Sequence, residues 1–123
     1  MTSSRLGVWI IGAGGSVATT VLVGVEALKA GLTAHTGLVT DREPFRGLGL
    51  AGIEDLVFGG HEVRQIDCLR AAKELRNSAG FLSAEMLSAA QPVLEATSSR
   101  LRPGILCGSS GVVEGFADLP GVW

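Results

Sequence analysis

Gly12, Gly14 and Gly15 follow an apolar run at residues 6–11 and precede an apolar helical pattern that opens with Ser16 and Val17. A strand that ends in a glycine turn and re-enters as a helix brings main-chain amides up to an anion. Gly12 can make the tight turn, and a missing Cβ at Gly14 or Gly15 lets the backbone close on a phosphate. The helix start adds unpaired N–H groups and the positive end of its dipole. The ligand that suits this arrangement is a dinucleotide pyrophosphate. The spacing departs from Gly-x-Gly-x-x-Gly/Ala. Gly12 and Gly14 fill the first two positions, and Val17 falls on the third. Counting Gly12, Gly15 and Ala18 instead gives a loop one residue longer. A helix start that needs a positive φ is the structural alternative.

Other residues complete a candidate site. Asp41 ends the apolar stretch 34–39 and lies about two dozen residues beyond the loop, where an acidic residue meets the adenine ribose of NAD. A carboxylate there repels a 2′-phosphate, whereas the adjacent Arg42 would accommodate one. The alternative for Asp41 is a strand-end turn. His61 and Glu62 follow Gly59-Gly60. Two readings stand for them, a ligand contact at a strand end or a polar turn. Ser109 and Ser110, flanked by Gly108 and Gly111, offer hydroxyls and amides to a phosphate or ribose, or form a plain turn. His35 reads as a surface or capping histidine. No Ser/His/Asp arrangement and no metal-ligand spacing is present in the sequence.

The elements that must position these residues follow from hydropathy. Residues 6–11 form a strand buried on both faces, and 17–30 a helix apolar nearly all round, with Gly31 as C-cap. Residues 34–39 form a second strand, closing a βαβ unit. Residues 41–55 are a loop, 56–58 a short strand that 63–66 extend, and 68–77 a helix. Ser83 caps a helix reaching 101 that Pro92 kinks or divides. Residues 104–107 form a last buried strand. The order β-α-β-loop-β-α-α-β calls for an α/β fold with a doubly wound parallel sheet. About half of such a sheet is visible, so the chain is expected to be an N-terminal piece.

The 123 residues make one domain, 46% hydrophobic and 18% charged. A net charge of −2 gives no case for nucleic acid or an anionic membrane as partner. The two isolated cysteines, Cys68 and Cys107, fit reduced thiols in a cytoplasmic protein. Arg5 and the apolar run after it imitate a signal peptide, but the glycine cluster interrupts the run.

Val8-Trp9-Ile10-Ile11-Gly12-Ala13-Gly14-Gly15-Ser16-Val17-Ala18-Thr19-Thr20 resembles the opening of inositol-3-phosphate synthases (myo-inositol-1-phosphate synthases), particularly the prokaryotic branch. Gly37-Leu38-Val39-Thr40, Phe58-Gly59-Gly60-His61-Glu62-Val63-Arg64 and Leu106-Cys107-Gly108-Ser109-Ser110-Gly111 continue the resemblance in order. It implies a Rossmann-like NAD-binding domain over residues 1–123. It further implies an isomerase that converts glucose 6-phosphate to inositol 3-phosphate, for inositol and phospholipid biosynthesis, as a cytoplasmic homotetramer. By resemblance Gly12, Ala13, Gly14, Gly15, Ser16 and Val17 form the pyrophosphate loop, Asp41 meets the ribose, and Gly108 and Ser109 lie near the cofactor. The family's catalytic lysines and sugar-phosphate pocket belong to a later region, so no catalytic residue and no metal ligand is assigned. A non-catalytic NAD-binding module and an NAD-dependent dehydrogenase of another family are the competing readings.

Overall fold

The computed structural model describes residues 4–105. Strand β1, Leu6–Ile11, leads through the glycine turn into helix α1, Ser16–Lys29. A long connection with two single 3-10 turns, Val39–Asp41 and Ile53–Asp55, then reaches strand β2, Leu56–Glu62. Helices α2, Cys68–Ala79, and α3, Ala84–Ser98, precede the short strand β3, Leu101–Pro103. The sheet is parallel in the order β1-β2-β3. The α/β class and parallel pairing are as the hydropathy pattern predicts.

The second strand is not where periodicity put it. Residues 34–39 form turns and the start of a 3-10 turn, and the place beside β1 belongs to β2, with Leu6 opposite Leu56 and Ile11 opposite His61. Gly37 has φ +91°, which breaks an extended chain. The segment 56–62 offers a longer run that keeps one face in the core. Its two glycines are required by close approach rather than by a turn. A Cβ on Gly60 would strike the Ile10 carbonyl and come within 2.9 Å of the Ala13 Cβ; one on Gly59 would meet the Trp9 ring at 2.6 Å. Residues 63–66 do not extend the strand, which ends at Glu62. Of the strand expected at 104–107, residues 106 and 107 lie outside the described residues; the last described strand is β3, after which the Gly104 N–H donates to the Glu62 carbonyl at 2.8 Å.

All three helices cover one face of the sheet. Leu22, Val23, Phe58, Ala72, Ala90 and Leu94 form the buried core, with Val8, Ile10, Leu56 and Leu101 packed against it from the strands. The alternate positions Trp9 and Ile11 are 52% and 79% exposed on the other face. Helix α1 is not buried all round either, since Val17 is 80% and Val21 42% exposed. It closes as Gly31 predicts. Gly31 takes φ +68°, its N–H bonds the Leu28 carbonyl at 3.1 Å, and the Leu32 N–H bonds that of Ala27 at 2.9 Å. This pair of bonds is the Schellman stop.

Helix α2 is capped by Asp67, whose carboxylate accepts from the Arg70 N–H at 2.7 Å. It ends at Gly80, φ +71°. Ser83 caps α3 as predicted, accepting from the Met86 N–H at 3.1 Å. Pro92 does not divide α3. It lies on the exposed side, as does Ser88, whose carbonyl loses its N–H partner where water can replace it. None of the described helices is long and apolar enough to cross a membrane.

Candidate functional site

The glycine turn converts the end of β1 into the start of α1. Gly12 takes φ +84°, the conformation predicted for it. The amides of Gly12 and Ala13 both donate to the His61 carbonyl, at 2.8 and 3.1 Å, and that of Gly15 donates to the Gly12 carbonyl at 3.0 Å. The turn is thereby stitched to the end of β2. The first bond of the helical ladder runs from the Thr19 N–H to the Gly15 carbonyl, at 2.9 Å. The amides of Ser16, Val17 and Ala18 precede it. Gly15 carries no side chain to cap them, and the first turn holds no acidic residue. The end of α1 nearest the sheet's carboxyl edge is therefore open to an anion.

Gly14 serves a different neighbour from the one expected. A Cβ there would lie 2.8 Å from Glu62 Oε2 and 2.7 Å from Ile66 Cγ2. Its N–H donates to Glu62 Oε2 at 2.6 Å. The other oxygen, Oε1, accepts from the amides of Val63 at 2.8 Å and Arg64 at 3.0 Å. Glu62 is only 5% exposed. Three main-chain donors thus hold one buried carboxylate against the loop, which offsets its loss of water.

This carboxylate stands at the carboxyl end of the second strand. Asp41 does not. It sits in the Val39–Asp41 turn, its Oδ2 2.9 Å from His35 Nδ1 and its carbonyl accepting from Arg46 Nε at 2.9 Å. It lines a hollow of about 340 Å³ that no residue of the glycine loop shares. The connection from α1 to the next strand, in which Asp41 lies, is far longer than the βαβ pattern assumes. His35 is the exposed histidine expected, here paired with Asp41.

A cleft of about 410 Å³ opens over the carboxyl ends of all three strands, between Ile11, Gly12, His61, Glu62, Val63, Gly104 and Ile105. In open α/β sheets ligands bind at this edge. His61 is fixed there by Trp9, whose indole Nε1–H donates to His61 Nδ1 at 2.8 Å with the rings edge to face. The bond requires Nδ1 to be an acceptor, so the neutral imidazole carries its proton on Nε2. Sequence reasoning missed this pairing. The signal was the alternation that puts Trp9 and His61 on one sheet face, once β1 and β2 are recognised as neighbours. Gly108, Ser109, Ser110 and Cys107 lie outside the described residues. Among the described residues no group of three or more His, Cys, Asp or Glu could hold a metal ion.

Comparison with known proteins agrees with this architecture. The chain is 33% identical over 81 residues to a protein named inositol-3-phosphate synthase 1 from Bacteroides thetaiotaomicron. That alignment takes in 57% of this chain and 19% of the relative, so the chain matches about a fifth of the relative's length. The family model described as myo-inositol-1-phosphate synthase, NAD-binding, matches residues 6–107. With a parallel sheet, a glycine turn at its carboxyl edge and a match over most of its length, the chain belongs to the myo-inositol-1-phosphate synthase family and represents its NAD-binding domain.

Proposed function

We propose that this chain holds NAD for an inositol-3-phosphate synthase that converts D-glucose 6-phosphate to 1D-myo-inositol 3-phosphate. The observation that carries the reading is the uncapped, acid-free start of α1, set against the buried Glu62 at the strand-end cleft. The residues fit the cofactor. The amides of Ser16, Val17 and Ala18 would take the pyrophosphate, with Gly12 and Gly15 keeping the backbone close and Ala13 and Gly14 tying the loop to β2. Glu62, at the strand end where Asp41 was expected, would accept from the adenine ribose hydroxyls. Ile11, Val63 and Ile105 would give the adenine apolar walls.

When bound, NAD supplies a reversible hydride acceptor: the sugar is oxidised at C5, closes by intramolecular aldol addition, and is reduced again with no net redox change. The protein's part in that sequence, over the residues described, is to hold and orient the dinucleotide. The sugar-phosphate pocket, the catalytic lysines and a homotetrameric, cytoplasmic assembly belong to the same proposal, on the strength of the family resemblance. Glucose 6-phosphate supplied to the complete protein with NAD should yield inositol 3-phosphate without accumulation of NADH. Stoichiometric release of NADH would overturn the synthase reading in favour of a dehydrogenase.

A further inference from the structure

Just beyond Glu62, two arginines meet one carboxylate. The Arg64 amide donates to Glu62 Oε1, so its backbone is fixed beside the group assigned to the ribose. Its guanidinium Nη2 lies 3.2 Å from Glu74 Oε2. Arg70, one helical turn before Glu74 on α2, places Nε 3.2 Å from Glu74 Oε1. Each oxygen of Glu74 therefore engages one arginine. Arg64 and Glu74 line a small polar hollow of about 140 Å³ together with Gly14 and Ser16 of the loop.

An arginine just past the acidic residue of the second strand is where a 2′-phosphate on the adenine ribose would find a cation. The phosphate would bring close to two negative charges at neutral pH and accept bidentate guanidinium bonds. Here both guanidinium groups are already engaged by a carboxylate that would itself repel the phosphate. The pairs are half exposed and contribute little to folding. Their consequence is electrostatic and local.

We propose that Glu74 is a specificity-determining residue, which withholds Arg64 from a 2′-phosphate and so keeps the site selective for NAD over NADP. The proposal rests on the dinucleotide reading above. It is tested by calorimetric titration of the chain with NAD and with NADP, for the wild type, for Glu74→Gln, and for Glu74→Gln combined with Arg64→Ala. The wild type should prefer NAD. Glu74→Gln should raise the affinity for NADP relative to NAD about tenfold, and Arg64→Ala should cancel that gain. An unchanged ratio in Glu74→Gln, or a gain that survives Arg64→Ala, would overturn the role of Glu74 while leaving the NAD site standing. A wild type that binds neither dinucleotide would overturn the NAD site and this proposal together.

Discussion

Glu62 concentrates the chemistry of the site in one residue. Its carboxylate is buried and receives three main-chain N–H groups, one from the glycine loop and two from the chain that leaves β2. Removing it strands those donors, and an unsatisfied buried donor costs about 1–3 kcal/mol. Glu62→Ala should lower the unfolding free energy by at least about 2 kcal/mol, measured by urea titration. Asp41 and Glu62 show what sequence could supply at this scale. Both residue types suit a ribose; distance along the chain points to Asp41, whereas the end of the strand beside β1 holds Glu62. Cys68 was legible as a buried reduced thiol. Burial raises its pKa above the ordinary 9.0, aided by the nearby Asp67 and Glu62 charges and opposed by the Ser98 hydrogen bond and Arg100. The folded state therefore favours the thiol over the thiolate. The stability this contributes is intact below pH 9.0 and declines as the pH rises above it toward the folded pKa. In a Cys107→Ser chain, native Cys68 should resist alkylation at neutral pH and react once urea unfolds the protein. Rapid native labelling would contradict the burial.

Among the elements, the helices were the most legible, because their ends are written in local chemistry. Asp67 and Ser83 cap with their side chains, and Gly31 and Gly80 stop helices with positive φ. Ser83 and Gly31 were read in advance. Asp67 was not, although it immediately precedes the helical pattern. Asp67→Ala should cost about 1 kcal/mol of stability, measurable as a lower urea midpoint with an unchanged slope. The strands were harder. A strand with Gly59-Gly60 at its centre has weak local propensity. It forms because the Trp9 ring and the Gly12–Ala13 turn press against it where a side chain would clash. That reason lies in β1, far away in sequence. Residues 34–39 had the better local pattern, but Gly37, at φ +91°, breaks the extended chain there. Pro92 leaves α3 a single helix, since its missing N–H falls on a solvated face.

At the scale of the whole molecule, the described residues form a parallel sheet clothed on one face only. Parallel sheets are ordinarily covered on both. Trp9 and Ile11 on the bare face, and the apolar Val17 and Val21 on α1, are surfaces of the kind that further chain covers. The chain matches about a fifth of the curated relative's length. What the described part does complete is one cleft, in which the glycine turn, Glu62 and the ends of all three strands converge. In the proposed function this convergence binds NAD, and Glu62, in place of Asp41, serves the ribose. Calorimetric titration of NAD into the wild type, Glu62→Gln and Asp41→Asn, each confirmed folded by circular dichroism, tests it most directly. The wild type should bind, Glu62→Gln should bind about tenfold more weakly, and Asp41→Asn should keep wild-type affinity. Loss of affinity in Asp41→Asn with Glu62→Gln unaffected, or no binding by the wild type, would contradict it.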